Sequence, residues 1–282
     1  MRPRPGRLTS ELAALAAGIP RSREFARFRR VQPDPRAATT RPIAVVLAAG
    51  KGTRMRSDLP KVLHPLAGEP LVAHVLRSAR AAGVARIVVV VGHGADQVEA
   101  ALGPVFSDLC FVRQPEQLGT GHAVQCALPA FAGHHGPVLI LSGDVPLLRP
   151  ATLAALVDQC ATCEAGLALA TFEPADPHGY GRIVRDERGR IRAICEERDA
   201  DAATRALREC NAGVYCADAD LLRRELPGLG RANAQGEIYL TDLVERAAGR
   251  GVATLRVDPD EVAGVNTPEQ LAALGELLAR RA

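Results

Sequence analysis

Ile43-Ala44-Val45-Val46-Leu47-Ala48-Ala49-Gly50-Lys51-Gly52-Thr53-Arg54-Met55 runs from an unbroken apolar segment into a turn with two glycines, and its reading decides the fold. Ile43–Leu47 is far too short to span a membrane and too uniformly apolar for a strand wet on one face. It reads as a strand buried on both faces that ends in a glycine loop. In such a loop, missing Cβ atoms let backbone N–H groups approach phosphate oxygens. Met55 holds the third glycine position of a Rossmann fingerprint, and the Gly-Lys-Ser/Thr ending of a Walker loop is missing. Only two of the 35 basic residues are lysines, and both lie in this neighbourhood, Lys51 in the loop and Lys61 just beyond it. Arg54 and Lys61 together offer several charge-assisted donors to a triphosphate, which a purely structural turn does not require.

Outward from this stretch the pattern alternates. Leu71–Ala82 reads as a helix, Ile87–Val91 as a strand, Asp96–Leu102 as a helix and Val138–Leu141 as a strand, which predicts a parallel sheet covered by helices on both faces. Ligands in that architecture sit at the carboxyl ends of the strands. The glycine loop and the Ser142-Gly143-Asp144 turn both fall there. Beyond Pro150 the pattern predicts a helix at Thr152–Cys163 and strands at Leu167–Phe172, Ile183–Val184 and Ile191–Cys195. Gly179-Tyr180-Gly181 reads as a bend and Arg188-Gly189 as a hairpin turn. Pro60-Lys61 reads as extended chain ahead of the helix at Leu71.

Composition narrows the function. The 282-residue chain is 47% hydrophobic and 24% charged, the profile of a soluble globular protein. Aromatic residues are 3% of the total with no Trp, which argues against stacking platforms for single-stranded nucleic acid. Residues 1–42 hold ten arginines against three acidic residues, a net +7, so with the whole chain at +3 the body from residue 43 carries −4. A mildly acidic body argues against nucleic acid as a partner. The first 42 residues are expected to form a basic, flexible extension, and residues 43–282 a single domain. No apolar run reaches membrane-spanning length and the N-terminus lacks a secretory pattern, so a cytoplasmic protein without a membrane partner is expected. Seven scattered cysteines fit reduced thiols. Cys160-x-x-Cys163, without a second pair at zinc spacing, reads as part of a helix face.

Further candidates follow from residue chemistry. Asp144, at the end of a short apolar strand, is placed to hold a divalent cation, because magnesium needs only one or two protein oxygens. Its candidate helper is Asn266 in Gly264-Val265-Asn266-Thr267-Pro268. Taken alone, Asn266 reads simply as the N-cap of a helix starting near Pro268. Gln114-Pro-Glu-Gln117-Leu-Gly119-Thr120-Gly121-His122-Ala123 is a second glycine-bearing loop that opens a helix, suited to reading a base edge with backbone amides and the Gln114 side chain. Glu196, Asn211 and the Gly181 backbone offer the partners that sugar hydroxyls and amides use.

Taken together, Leu47–Met55, Ser57–His64, Gln114–Ala123, Gly143–Leu147, Gly179–Ile183, Asn211–Gly213, Asn233–Glu237 with Tyr239–Asp242, and Gly264–Asn266 resemble, in order, the uridyltransferase half of the bacterial bifunctional UDP-N-acetylglucosamine synthesis enzymes, within the sugar nucleotidyltransferase superfamily. The resemblance implies a three-layer α/β fold, Rossmann-like and akin to glycosyltransferase A folds, with a mixed, mainly parallel sheet. It implies that UTP and N-acetylglucosamine-1-phosphate are the substrates and Mg²⁺ the cofactor. By the same resemblance, Leu47, Ala48, Ala49, Gly50, Lys51 and Gly52, with Gln114, Gln117, Gly119 and Thr120, would hold the nucleotide. Arg54 and Lys61 would act on the phosphates, and Gly143, Gly181, Glu196 and Asn211 would hold the sugar. Asp144 and Asn266 would bind the metal. Two positions depart from the family pattern: Ser142 stands where many relatives carry an aromatic, and Arg198 replaces a commoner Lys. The bifunctional relatives continue into a left-handed β-helix that acetylates and trimerises. This sequence stops soon after Leu271–Leu278, so no acetyltransferase step and a monomer or weak dimer are expected. Another sugar-1-phosphate, another nucleotide, or a non-catalytic nucleotide-sugar sensor are the alternatives.

Overall fold

The computed structural model describes residues 41–281, so the basic extension lies outside the described residues apart from Arg41 and Pro42. In chain order the strands are β1 (Ile43–Ala48), β2 (Pro65–Leu66), β3 (Glu69–Pro70), β4 (Ile87–Val91), β5 (Leu109–Arg113), β6 (Pro137–Ser142), β7 (Leu167–Phe172), β8 (Arg182–Arg185), β9 (Ile191–Cys195), β10 (Cys210–Asp218) and β11 (Ala253–Arg256). The α-helices are α1 (Leu71–Ala81), α2 (Ala95–Leu102), α3 (Thr120–Ala127), α4 (Pro150–Thr162), α5 (Ala202–Arg205), α6 (Ala219–Glu225), α7 (Asp242–Ala247) and α8 (Pro268–Arg281).

The main sheet has the order β11-β7-β10-β6-β1-β4-β5, with β8 and β9 branching from β10. β1 pairs in parallel with both β4 and β6, and β4 in parallel with β5. β10 is antiparallel to its neighbours β6 and β7, which makes the sheet mixed. Burial explains the apolar runs: every residue of β4 is buried, as a strand covered on both faces requires. Alternate residues of β1 feed two separate cores. Ala44, Val46 and Ala48 pack with Val72, Val75 and Leu76 of α1 and with Leu153 and Leu156 of α4, while Ile43 and Val45 pack with Val124 of α3 and Leu243 of α7. The sheet is thus the middle of three layers.

The expected strands at Leu167–Phe172 and Ile191–Cys195 form with those bounds, and Arg188-Gly189 lies in the β8–β9 hairpin turn. One local expectation is corrected. Lys61 does not lie in extended chain but begins a 3₁₀ turn, Lys61–Leu63, closed by Leu63 N–H donating to Pro60 O at 2.8 Å. Pro60 itself is extended, and its fixed φ sets up the entry to the turn.

Candidate functional site

A cavity of about 430 Å³ opens where β1, β5 and β6 end, within the size range of small-ligand pockets. Leu47, Ala48, Ala49, Gly50, Lys51, Gln114, Gln117, Gly119 and Thr120 line it, joined by Lys61 and Asp144. Gly52 alone among the expected nucleotide residues is absent from the wall. It has φ +59, and a Cβ there would come within 2.6 Å of Lys61 Cβ, so its part is to let the Lys61 stem pass.

The charged constellation sits at one side of this cavity. Lys61 Nζ donates to Asp144 Oδ2 and, at 3.1 Å, to Asn266 Oδ1. Arg54 Nη2 donates to the same Asn266 oxygen at 2.9 Å. Four residues spread over more than two hundred positions of sequence are therefore in direct contact. Two backbone bonds hold the oxygens in place: Gly143 N–H donates to Leu47 O (2.9 Å) and Val265 N–H to Asp144 O (3.0 Å). The donor set suits magnesium, because a carboxylate and an amide oxygen already converge on one cationic atom.

Asn266 is not the cap of α8. Thr267 Oγ1 accepts from Gln270 N–H at 3.3 Å, and Gln270 Oε1 accepts in return from Thr267 N–H (3.2 Å) and Asn266 N–H (2.7 Å), a capping box. The Thr-Pro-Glu-Gln spacing carried this signal in sequence. Because Thr267 does the capping, the Asn266 side chain is free to meet Lys61 and Arg54. Gln270→Ala is expected to cost about 1 kcal/mol of stability by urea denaturation, and Gln270→Glu to retain most of it, since glutamate serves the same box. Equal losses in the two variants would refute the capping role.

The second glycine-bearing loop is built around Gln114, which is 4% exposed. Its Nε2 donates to Gly119 O and to His122 Nδ1, both at 3.1 Å. The loop is clamped from a segment to which the sequence assigned no function: Ile238 N–H donates to Leu118 O (2.7 Å), Gly121 N–H to Ile238 O (2.8 Å), and Leu240 N–H to Thr120 Oγ1 (3.1 Å). Glu237 and Ser142 also line the cavity and were given no role from sequence. Glu237 could have been found from its place in the Asn233–Glu237 motif.

Gly181, Glu196 and Asn211 come together apart from the cavity wall. Asn211 N–H donates to Gly181 O at 2.9 Å, and a Cβ on Gly181 would lie 3.4 Å from Glu196 Oε2. Asn211 Oδ1 accepts from Gly213 N–H (3.0 Å) and its Nδ2 donates to Tyr215 Oη (2.6 Å), across the irregularity that breaks β10 between Asn211 and Tyr215. Arg182, 3% exposed, ties the Gly179–Gly181 bend down: it donates to Tyr180 O, to Leu207 O at 3.1 Å and to Glu197, which accepts from Gly179 N–H.

Burial pushes the Glu196 carboxyl above the usual carboxylate range, against the hydrogen bond it accepts from Thr241 Oγ1 at 3.1 Å. The folded state therefore holds this proton more tightly than the unfolded chain. Stability from Glu196 is full below the ordinary carboxylate pKa and is lost as pH rises through the folded value. Glu196→Gln, which can still accept from Thr241, is expected to melt higher than wild type at pH 7, with the gap closing toward pH 4.5. A gap that does not change across a thermal-melt series over that range would contradict this origin.

A mixed α/β sheet with a glycine loop and nucleotide-sized cavity at its strand ends is the architecture of a nucleotidyltransferase. Residues 44–212 match the MobA-like NTP transferase domain, and the chain belongs to that family. Among its relatives, the bifunctional protein GlmU of Anaeromyxobacter dehalogenans (strain 2CP-C) is 52% identical over 84% of this chain and 49% of its own length. GlmU of Geotalea uraniireducens (strain Rf4) is 49% identical over 84% of this chain and 52% of its own. The chain spans about half the length of the curated relatives it matches. A solved structure of a nucleotidyl transferase from Methanothermobacter thermautotroptrophicus is similar with a TM-score of 0.59 and 25% identity, over 86% of this chain and 99% of that one. No helix among the described residues is long and apolar enough to cross a membrane.

Proposed function

We propose that this chain transfers the uridylyl group of UTP to N-acetylglucosamine-1-phosphate, giving UDP-N-acetylglucosamine and pyrophosphate. The observation that carries the reading is the Lys61 ammonium held between Asp144 and Asn266 on the wall of a nucleotide-sized cavity. The resemblance of the sequence motifs to the uridyltransferase half of the bifunctional UDP-N-acetylglucosamine synthesis enzymes supports the choice of sugar and nucleotide.

In the step proposed, a phosphate oxygen of the sugar phosphate bonds to the α-phosphorus of UTP. The bond from that phosphorus to the bridging oxygen breaks, and the electron pair leaves with pyrophosphate. Six negative charges enter and six leave, so the reaction moves no net proton and needs no general base. The task is to align two anions and offset their charge. Lys61 would swing from Asp144 to the α-phosphate region, and Arg54 would support the departing pyrophosphate. The glycine loop would present its N–H groups to the triphosphate, and Gln114 would meet the base. Asp144 and Asn266 would hold Mg²⁺, which when bound supplies charge neutralisation between nucleotide and sugar phosphate.

The test is pyrophosphate release from UTP and Mg²⁺ with N-acetylglucosamine-1-phosphate, beside glucose-1-phosphate and glucosamine-1-phosphate. Release with the N-acetyl sugar alone is expected. Equal release with glucose-1-phosphate would overturn the sugar assignment, and silence with all three would overturn the transferase reading.

A further inference from the structure

The amide of Gln114 has only one polarity that its surroundings accept. Gly119 O is an acceptor and nothing else, so the amide nitrogen must face it, and the second hydrogen on that nitrogen points to His122 Nδ1. His122 Nδ1 therefore accepts and the ring carries its proton on Nε2, which lies 3.6 Å from Cys126 Sγ one helical turn along α3. With both amide hydrogens committed inside the protein, the carbonyl end, Oε1, is the part of this cavity-lining side chain left without a protein partner among the described residues.

An acceptor facing a base selects for a donor on that base. Uracil and thymine carry N3–H on the Watson–Crick edge, whereas cytosine carries a bare N3 there, and two acceptors in contact repel. We propose that His122 is a positioning residue for base selection: by holding the Gln114 amide with its oxygen toward the cavity, it makes the site take a pyrimidine with N3–H and turn cytosine away. The proposal rests on the nucleotide reading above and extends it to a residue that does not itself line the cavity. To accept cytosine the amide must flip, which breaks its bond to Gly119 O and sets two carbonyl oxygens together, and it keeps a bond to His122 only if the ring moves its proton from Nε2 to Nδ1 and gives up the Nε2–H contact with Cys126 Sγ. Without His122 that second cost is gone.

The test measures binding of UTP, dTTP and CTP, each with Mg²⁺, to the full chain by calorimetry, in wild type, His122→Phe and His122→Asn. Phenylalanine keeps a ring but removes the acceptor, while asparagine places Oδ1 close to where Nδ1 stood. Wild type is expected to favour UTP and dTTP over CTP. His122→Phe is expected to narrow the UTP-to-CTP ratio about 10-fold, the effect of one lost hydrogen bond to a buried group, and His122→Asn to keep most of the preference. A thermal melt of each variant separates loss of fold from loss of selection. Three results would each overturn the proposal: wild type binding all three alike, His122→Phe keeping the wild-type ratio, or His122→Asn narrowing it as much as phenylalanine. If wild type and both variants rank the nucleotides as expected yet wild type releases no pyrophosphate with any sugar phosphate, the transferase reading fails and the role of His122 stands. If UTP is turned over and His122→Phe keeps its ratio, the reverse holds.

Discussion

Asp144→Ala is expected to lower turnover at least about 10²-fold while leaving UTP binding largely intact. The split follows from the resting geometry. Asp144 and Lys61 form an ion pair whose side chains are only 17% and 16% exposed, so each is partly withdrawn from water and depends on the other. Removing the carboxylate leaves the ammonium with Asn266 Oδ1, an oxygen it already shares with Arg54. Lys61 then has little to hold it back from a triphosphate, and nucleotide affinity should not fall. What is lost is the anionic oxygen that would hold the metal, and with it the alignment of two repelling phosphates. Asp144→Asn sharpens the comparison, because it keeps an oxygen for Lys61 and removes the charge. Calorimetric UTP affinity and steady-state turnover at saturating Mg²⁺ give the two readouts. Turnover close to wild type in either variant would remove Asp144 from the proposed chemistry.

The strands β1, β4, β6 and β7 were legible because they are nearly pure apolar runs, the pattern of strands buried on both faces, whereas the half-buried β5 and β11, each ending in arginine, carried no such signal. The cavity wall was legible for a related reason: loops that follow such strands must lie at one edge of the sheet. Residues at the long-range joints were not. Nothing local says that Ile238 clamps the Gly119 loop, or that Asn266 meets Lys61 across the cleft. Asn266 shows how a local rule can mislead. Asparagine before a helix is a good cap, but Thr267 followed by Gln270 is a better one, and the reciprocal box takes the capping role away from Asn266. β10 was hard to read for another reason. Its Asn211-Ala212-Gly213 interruption, with Gly213 at φ +70, looks like a turn in sequence yet lies within a strand that continues to Asp218.

Gly119→Ala tests the first of these joints, the Ile238 clamp, and is expected to destabilise the protein by about 2–4 kcal/mol, combining backbone strain with overpacking. Gly119 has φ +108, a region that L side chains rarely enter, and its Cβ would fall 2.5 Å from Ile238 O, 2.9 Å from Glu237 Cβ and 3.0 Å from Ile238 N. Two of these neighbours are backbone atoms, fixed by the bonds that tie Leu118, Thr120 and Gly121 to the Ile238–Leu240 segment, so relief cannot come from a rotamer change. The loop must lift away instead, carrying off the Gly119 carbonyl that holds the Gln114 amide. Base selection should therefore weaken together with stability. Gly50→Ala supplies the contrast, since Gly50 also lines the cavity but has no atom within 4 Å of a built Cβ and no positive φ. That variant should stay within about 0.5 kcal/mol of wild type, and any loss should appear in nucleotide binding alone. Urea denaturation and UTP calorimetry on both variants decide the matter: if Gly119→Ala unfolds with wild-type stability, the clamp from Ile238 is not what shapes the loop.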